Sequence, residues 1–440
     1  MKHILLSLTL ATVIIVESRG ATDGTLAWKT YIGSNTPSRV VGSPAIKADG
    51  SNSRVFGISG NTIKSLNYND GSQNWSLTYD NRIHTVILNA SKNLIYVNKG
   101  RIPGVGTNNG AVHCVTAYGG AQMWNFEGTH NGNEYYFSDR IALGIDYNGA
   151  DLIYALGYRE DLVNDIPVLW CIDSYGNAKW LRDDLPSAGN PGIGTGGDIS
   201  IGSNGELYIQ TLNDIHRIHG QFGFSEWSYN ISSTDQRRIS SPISIDNNGN
   251  LYFMITDDAG GFAGSEYLMS LTSSGLLRWE KYISNSISGI HEPLVGSDGT
   301  VYVMSYQASF QQLGYPILTA LNTSNGTIKW QSDYDDGETF ISTILDNNNN
   351  IILAMNGLNG SASRILSINA QNGTSVNWSF TDNNSLSDIN SGLNIDNGYM
   401  YFTTKTHMYA LNYSKDIQLG NWPKMQKAIK SQSYKGSSYQ

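Results

Sequence analysis

The sequence alternates between short apolar runs and short polar turns along most of its length. In one clear copy, residues 241–243, 251–253 and 268–271 form three apolar runs, and a fourth run ends at Trp279. The segment 246–249 between the first two runs reads Asp-Asn-Asn-Gly. Short runs rich in apolar and aromatic residues predict β-strands, and Asn-Gly is typical of a tight hairpin turn. The pattern therefore predicts a meander of four antiparallel strands.

Tryptophan marks a repeat of this unit at intervals of 47 to 56 residues. The eight positions are Trp28, Trp75, Trp124, Trp180, Trp227, Trp279, Trp330 and Trp378. A glycine stands four residues before seven of these tryptophans, and Gly373 stands five residues before Trp378. A period near 50 residues is that of a four-stranded propeller blade, not of a helical or leucine-rich repeat.

The two ends of the chain carry complementary incomplete repeats. Residues 23–28 form a fourth strand with no first three strands before it. The runs at 393–395, 399–401 and 408–411 form three strands with no fourth strand after them. Pairing the two ends completes the last blade and leaves fewer exposed sheet edges. We therefore predict an all-β fold, an eight-bladed β-propeller of four-stranded antiparallel blades that is closed by the N-terminal strand.

Composition and charge agree with an exported β-protein. The 440 residues include 47 Gly, 26 Tyr and 10 Trp, and only 15% are charged. The net charge of −9 argues against nucleic acid or an anionic membrane as a partner. Residues 1–20 combine Lys2 with a short apolar run and indicate a cleaved signal peptide, with an uncleaved anchor as the alternative. No cysteine follows that run for lipid attachment, so we predict a secreted or periplasmic monomer without a membrane span.

The predicted domain organisation is a signal peptide at 1–20, a single propeller domain at 21–422 and a polar tail at 423–440. Cys114 and Cys171 are the two cysteines of the chain, and they occupy nearly the same place in consecutive repeats. A disulfide between them would have to cross between neighbouring blades. We therefore expect two buried free thiols rather than a disulfide framework.

Residues 320–330 resemble the eleven-residue tryptophan-docking motif of PQQ-like (pyrroloquinoline-quinone, quinoprotein-type) β-propellers. Ala320 stands first, Gly326 seventh and Trp330 eleventh, and residues 65–75 keep the same spacing. This family includes the propellers that resemble outer-membrane assembly factor B. The resemblance, which covers about residues 23–412, implies that each Trp ring packs between blades over a glycine peptide of the neighbouring motif.

The end of the sequence carries a second, shorter resemblance. Residues 422–425 (Trp-Pro-Lys-Met) resemble a segment that many bacterial PQQ-like proteins carry beside the propeller. The alternative is an ordinary aromatic anchor that holds the chain end against the rim of the barrel.

The family resemblance implies two kinds of protein, quinone-dependent dehydrogenases and propellers that bind no cofactor. The dehydrogenases hold Ca²⁺ with Glu and Asn or Asp side chains, use an Asp base, and in several cases carry a disulfide between adjacent cysteines. This chain has no adjacent cysteines, and its blades of about 50 residues lack the long insertions that build a quinone pocket. We therefore predict no catalytic residue and no cofactor.

Two other patterns suggest metal binding only weakly. His216 and His219 stand three apart, so on a strand they point to opposite faces and would not chelate one ion. The Asp-Asn turns at 246–249 and 346–350 resemble fragments of calcium loops, but they lack the closing glutamate and fall where each blade needs a hairpin. We predict that they are turns and that the chain has no metal site.

Insertions concentrate on one face of the predicted ring. Because chain direction alternates through a blade, the fourth-to-first and second-to-third connections share one face. The insertions on this face are residues 98–110, 127–139, 157–166, 181–197, 257–265 and 307–315. Long loops on a rigid scaffold often carry recognition. The candidate partner-binding residues are Tyr135, Tyr136, Phe137, Tyr158, Arg159, Asp161, Phe262, Phe310 and Tyr315. The alternative is that several of these aromatic side chains cap the apolar blade ends.

Together these observations favour a non-catalytic binding or scaffold propeller whose partner is another protein or an extracellular glycan. The alternative is a quinone- or Ca²⁺-dependent dehydrogenase, or a carbohydrate-binding propeller. A dehydrogenase should bring carboxylates and an amide together at the channel mouth on the face with the insertions. A scaffold should show only scattered polar groups there.

Overall fold

The computed structural model describes the chain from residue 22 to residue 418, with gaps. The gaps are residues 34–42, 49–51, 90, 100–109, 131–132, 160–165, 186–198, 212, 232–236, 258–263, 286–290, 310–311, 335–337, 358–361 and 383–385. The predicted signal peptide and the polar tail lie outside the described residues. Within them the chain forms 34 β-strands and no α-helix, so no helix there is long or apolar enough to cross a membrane.

The strands group into eight blades, each numbered here by its order after the first strand. Strand β1 is Leu26–Tyr31. Blade 1 is β2 (Ala45–Lys47), β3 (Arg54–Ser59), β4 (Thr62–Asn67) and β5 (Gln73–Thr78). Blade 2 is β6 (Ile83–Asn89), β7 (Leu94–Lys99), β8 (Ala111–Thr116) and β9 (Gln122–Phe126). Blade 3 is β10 (Thr129–His130), β11 (Asn133–Ile145), β12 (Asp151–Arg159), β13 (Ile166–Asp173) and β14 (Ala178–Arg182). Blade 4 is β15 (Ile199–Ile201), β16 (Leu207–Gln210), β17 (Asp214–Ile218) and β18 (Ser225–Asn230).

The second half of the chain repeats the arrangement. Blade 5 is β19 (Arg237–Ile239), β20 (Ser244–Ile245), β21 (Leu251–Asp257), β22 (Ser265–Leu271) and β23 (Leu277–Ser284). Blade 6 is β24 (Leu294–Val295), β25 (Thr300–Ser309), β26 (Gln312–Asn322) and β27 (Ile328–Asp333). Blade 7 is β28 (Glu338–Leu345), β29 (Asn350–Gly357), β30 (Arg364–Asn369) and β31 (Val376–Phe380). Blade 8 is β32 (Asn394–Asp396), β33 (Tyr399–Thr403) and β34 (His407–Asn412), completed by β1.

Blade 8 closes the ring by joining the two ends of the described chain. Its strand order is β1-β34-β33-β32, and β1 pairs antiparallel with β34, so that Trp28 lies opposite Ala410 and Tyr31 opposite His407. The predicted eight-bladed propeller with an N-terminal closing strand is therefore confirmed.

Blade 5 differs from the predicted meander at its first strand. Residues 241–243 were expected to form this strand, but they separate β19 from β20, and both short strands pair with β21. Pro242 has no N–H to donate to a ladder. The Ser241 hydroxyl takes over part of the pairing, because its Oγ accepts a hydrogen bond from the backbone N–H of Met254 at 2.9 Å.

Each repeat tryptophan lies third in its strand, and a β-bulge precedes it. The prediction that the fourth strand of blade 5 ends at Trp279 was wrong, because β23 continues to Ser284. In blade 1, Trp75 pairs with Ser65 and Gln73 pairs with Leu66. Two residues of β4 that follow each other therefore face two residues of β5 that have one residue between them. The same irregularity occurs before all eight tryptophans. A bulge bends the strand and adds twist, which turns each indole toward the neighbouring blade.

Each of these indoles lies against the docking glycine of the next blade. A Cβ added at any of these glycines would meet the facing ring at 2.2 to 3.0 Å, which is closer than almost all real Cβ contacts. The pairs are Trp28–Gly71, Trp75–Gly120, Trp124–Gly176, Trp180–Gly223, Trp227–Gly275, Trp279–Gly326, Trp330–Gly373 and Trp378–Gly24. Seven of the indole N–H groups also donate to a backbone carbonyl of that next blade at 2.9 to 3.1 Å. The contact between indole and glycine is therefore the same at all eight junctions, including the closing one.

A second aromatic residue in most blades lies across the sheet from the tryptophan. In blade 2, Tyr96, Cys114 and Trp124 stand side by side on three neighbouring strands, and the two rings are 5.9 Å apart. Seven of the eight blades have such a pair at 5.9 to 6.0 Å. The middle position is usually small, and Cys114 and Cys171 both occupy it.

Both cysteines are buried free thiols, as predicted. Burial raises the pKa of each to about 12. Neither thiol is therefore primed for thiolate chemistry.

The Asp-Asn turns use their carboxylates to hold the hairpin. Asp246 Oδ1 accepts hydrogen bonds from the N–H groups of Asn248 and Asn250 at 2.8 and 2.9 Å. Asp346 makes the same pair of bonds in blade 7. These are the contacts of Asx turns, so the prediction that both segments are turns is confirmed.

Candidate binding surface

The two faces of the ring differ in the length of their connections. Connections between first and second strands, and between third and fourth strands, are short turns, and we call this side the short-turn face. On the other side, the connection between β14 and β15 spans residues 183–198, and that between β7 and β8 spans residues 100–110. We call this side the loop-rich face. It is the face on which the sequence places the insertions.

Two of the predicted insertions are extended hairpins rather than loops. Residues 127–139 contain β10 and the first half of β11, which pair with each other at Thr129 and Glu134. Residues 307–315 continue β25 and β26, which stay paired as far as Ser309 and Gln312. The sequence prediction of loops was wrong here, because backbone pairing continues beyond the apolar core where the hydrophobic pattern ends.

Blade 3 brings four of the candidate residues together at the end of β11 and β12. The ladder places Tyr135 opposite Arg159 and Tyr136 opposite Tyr158. Tyr158 and Arg159 are half-buried, and the Arg159 guanidinium lies 2.9 Å from the Asp183 carboxylate. Because neighbouring residues of a strand point to opposite faces of the sheet, Tyr158 and Arg159 lie on opposite faces of this hairpin.

The remaining candidates lie elsewhere or outside the described residues. Phe137 is 4% exposed and packs 6.0 Å from the Phe126 ring, as a residue capping the blade end would. Tyr315 is half-buried on β26 of blade 6, three blades away from the group on blade 3. Asp161, Phe262 and Phe310 are not among the described residues.

Six carboxylates on the described part of the loop-rich face are each paired with a basic side chain. The pairs are Lys29–Asp382, Lys99–Asp80, Arg159–Asp183, Arg182–Asp184, Arg364–Glu338 and Lys405–Asp388. The Lys29 ammonium holds the pKa of Asp382 below its usual range. The buried Glu266 carboxylate instead accepts a hydrogen bond from Ser284 at 2.9 Å. These charges are spread around the ring rather than gathered at one point.

Small polar side chains link the first strands around the axis. Ser200 Oγ donates to the Ile243 carbonyl at 2.6 Å, and Asn394 Nδ2 donates to the Pro44 carbonyl at 2.8 Å. Ser342 Oγ accepts from the Leu393 N–H at 3.1 Å. These hydrogen bonds connect neighbouring blades at three of the junctions, and sequence reasoning missed them. The sequence pattern that could have predicted these hydrogen bonds is a Ser or Asn within an otherwise apolar first strand.

The described residues do not form a metal centre. Among them, no group of three or more His, Cys, Asp and Glu side chains is placed to hold an ion. His216 lies on β17, whereas His219 packs against Phe222 and Phe224 at ring distances of 4.9 and 4.8 Å.

A buried histidine beneath this face makes stability depend on pH. His291 is 4% exposed and lies 6.4 and 6.3 Å from the rings of Tyr306 and Phe340. Burial lowers its pKa from 6.5 to about 4. The unfolded chain therefore takes up a proton near pH 6.5 that the native state accepts only near pH 4, so stability falls as the pH falls through this window.

We expect His291→Phe to remove roughly 3 kcal/mol of this acid destabilisation between pH 6.5 and 4, since one pKa unit is about 1.4 kcal/mol. Urea unfolding at several pH values measures the slope of the free energy of unfolding against pH. Tyr306→Phe is the matched control in the same cluster and should leave this slope unchanged. An unchanged slope for His291→Phe would contradict the assignment.

Comparison with known proteins identifies a family and a set of structures of the same fold. The sequence profile of the family described as outer membrane protein assembly factor BamB matches residues 18–221 and 227–438. BamB from Moraxella catarrhalis superposes with a TM-score of 0.56 at 13% identity, covering 88% of this chain and 100% of that one.

Two quinohemoprotein alcohol dehydrogenases, from Comamonas testosteroni and from Pseudomonas putida HK5, each superpose with a TM-score of 0.58 at 12% identity. Each superposition covers 88% of this chain and 76% of the dehydrogenase. At these identities the structures share the fold alone. No curated protein sequence matches the chain.

Proposed function

Because this chain belongs to the family described as outer membrane protein assembly factor BamB, we propose that it is an exported, non-catalytic propeller that binds a partner protein through its loop-rich face. The family description names a factor in protein assembly, which favours a protein over a glycan as the partner. We extend the proposal to a secreted or periplasmic monomer that is released from its signal peptide.

The observation that carries the proposal is the arrangement of polar groups on the loop-rich face. A quinone dehydrogenase needs carboxylates that converge on a metal ion. Here Asp80, Asp183 and Glu338 each lie against their own Lys or Arg. Aromatic side chains and arginine on a rigid scaffold are instead typical of a surface that recognises a protein.

The end of the β11–β12 hairpin in blade 3 is the part of this face that we assign to the partner, with Tyr135 and Tyr136 paired to Arg159 and Tyr158 in its ladder. Tyr158 would supply an aromatic contact on one face of the hairpin, and Arg159, which is held in place by Asp183, would supply a charged contact on the other. Tyr315 on blade 6 would contribute separately if the partner spans the ring. Large aromatic residues and arginine are enriched among the residues that dominate binding energies.

The test compares two double variants of the full chain in a co-purification experiment. Tyr158→Ser with Arg159→Ser should abolish recovery of the protein that co-purifies with the unmodified chain. Tyr147→Ser with Tyr175→Ser should leave it unchanged, because these residues are 65% and 80% exposed on the short-turn face.

The same preparation, heated alone and with PQQ plus Ca²⁺, tests the dehydrogenase alternative. A ligand that binds only the native state adds about 2.7 kcal/mol at 100 times its Kd, which is a visible shift of Tm. We expect no shift. A clear rise in Tm, or equal loss of the partner in both double variants, would overturn the proposal.

A further inference from the structure

Blade 1 closes its first hairpin with two basic residues. Lys47, the last residue of β2, pairs directly with Arg54, the first residue of β3. Residues directly opposite each other in an antiparallel pair lie on one face of the sheet, where like charges are destabilising. The last pairs of this hairpin in blades 2 to 8 contain no Lys or Arg: Asn89–Leu94, Ile145–Asp151, Ile201–Leu207, Ile245–Leu251, Val295–Val301, Leu345–Ile351 and Asp396–Tyr399. The hairpin therefore forms without the two charges, and folding does not require them.

An aromatic residue of blade 2 lies beside this basic pair. Two residues before the docking glycine, seven blades carry Thr, Asn, Ser or Gln, and blade 2 carries Tyr118. The Trp75 indole donates to the Ala117 carbonyl at 3.0 Å, so the docking contact holds the backbone next to Tyr118 against blade 1. Lys47 Nζ and Arg54 Cζ lie 5.0 and 5.2 Å from the centre of the Tyr118 ring. We call these three residues, all on the short-turn face, the basic cluster.

The Arg54 guanidinium has hydrogen-bonding capacity that the described residues do not use. Its Nε and Nη1 are buried and have no hydrogen-bond acceptor there, and no carboxylate of the described residues forms an ion pair with it. Arg159 and Arg364, by contrast, each lie against a carboxylate. Buried N–H groups are normally satisfied, so an arginine of this kind in a chain of net charge −9 indicates an anionic ligand.

The chemistry of the basic cluster matches a phosphate group. A guanidinium donates paired N–H bonds to phosphate or carboxylate oxygens, and stacking on an aromatic face holds its plane in position. A phosphate monoester carries a charge of about −1.5 to −2 at pH 7. Two cations balance that charge, whereas a carboxylate carries a single negative charge.

We propose that Lys47, Arg54 and Tyr118 bind a phosphate group on the short-turn face. Arg54 donates hydrogen bonds to the phosphate oxygens, Lys47 supplies the second positive charge, and the Tyr118 ring supports both cations. The inference concerns the face opposite to the one in the proposed function, so either proposal can fail without the other.

Isothermal titration of the full chain at constant ionic strength tests the ligand chemistry. The probes are inorganic phosphate, glycerol phosphate and acetate. We expect one phosphate group to bind per chain and acetate not to bind. Tighter binding of inorganic phosphate would identify a free ion as the ligand, and tighter binding of glycerol phosphate would identify a phosphate carried on a larger molecule. No saturable binding of either phosphate compound, or equal affinity for acetate, would overturn the proposal.

A pair of charge variants tests the location of the site. Arg54→Gln should weaken phosphate binding by about tenfold, as the loss of a hydrogen bond between charged groups does. Lys281→Gln is the matched control, because it removes one positive charge from β23 of blade 5, and it should leave the affinity unchanged. Equal affinities in the two variants would show that phosphate does not bind at the basic cluster.

Two further positions test the roles within the cluster. Tyr118→Phe keeps the ring and should keep the affinity, whereas Tyr118→Leu should weaken binding several-fold. Asp49, which lies outside the described residues, is the carboxylate nearest to Lys47 and Arg54 in the sequence. Asp49→Asn should therefore tighten phosphate binding, and weaker binding in this variant would contradict a site built on these two cations.

Heating the same proteins distinguishes lost binding from lost folding. Without phosphate, Arg54→Gln should be at least as stable as the unmodified chain, since it removes one of two like charges that face each other. Phosphate should raise the Tm of the unmodified chain and of Lys281→Gln, but not that of Arg54→Gln. An equal rise in all three proteins would also overturn the proposal.

Discussion

Trp28→Ala is expected to lower the free energy of unfolding by about 3–5 kcal/mol, the usual cost of removing a buried Trp side chain. Trp28 lies on the closing strand β1, is 8% exposed, and donates from Nε1 to the Tyr68 carbonyl at 3.1 Å. Its ring covers Gly71 of blade 1. The substitution therefore weakens both the blade 8 sheet and the contact that closes the ring. Urea unfolding followed by circular dichroism measures the change.

Two glycines provide the control for this contact. Gly71 and Gly149 have nearly the same backbone angle, with φ of +71° and +76°, so alanine strains the backbone equally at both. At Gly71 the new Cβ would stand 2.4 Å from Cε3 of Trp28, whereas at Gly149 nothing lies within 4 Å. Gly71→Ala should cost about 1–3 kcal/mol more than Gly149→Ala, as overpacking does. Equal losses would show that the indole contact does not hold the blades together.

The second large effect is expected at Asp151, which joins blade 2 to blade 3. This carboxylate is fully buried and accepts hydrogen bonds from Asn89 Nδ2 and Lys92 Nζ, both at 2.7 Å, and from the Tyr96 hydroxyl. Asp151→Ala leaves a buried amide and a buried hydroxyl without their acceptor and leaves Lys92 without its counter-ion. Breaking a buried charged network of this kind costs about 3–5 kcal/mol.

Asp173→Ala is the comparison for Asp151→Ala, again by urea unfolding. The Asp173 carboxylate accepts N–H bonds from Tyr175 and Asn177 in an exposed turn at 2.9 Å. Its loss should cost only about 1 kcal/mol, the net value of an ordinary hydrogen bond. If the two variants are equally stable, the buried network contributes little to the blade junction.

The fold was predictable because the same local sequence signals recur in each repeat. Each blade carries its own turn glycine and tryptophan, and the unpaired ends at residues 23–28 and 408–411 indicate closure without any long-range information. The row of Tyr96, Cys114 and Trp124 could also have been predicted, since a tyrosine recurs in the second strand of most blades. Aligning the repeats by their second strands would have shown this recurring tyrosine.

The polar groups of the loop-rich face were less predictable. Lys29 and Asp382 are 353 positions apart in the chain, and no local pattern marks them as partners. The ends of β25 and β26 were mistaken for a loop because hairpin pairing by backbone bonds does not need the apolar alternation that reveals a core strand. The candidates that could be placed, such as Tyr158 and Tyr315, lie on two separate blades, because sequence shows which face a loop is on but not its position around the ring.

The closing pair β1 and β34 gives the molecule a property that open repeat arrays lack. In a linear solenoid, the terminal repeats have one neighbour each and open first. A closed ring has no terminal repeat, so every blade is held on both sides and opening any of them breaks two junctions at once. The ring should therefore unfold in a single cooperative transition instead of fraying locally. The blades should resist a protease until the whole ring unfolds.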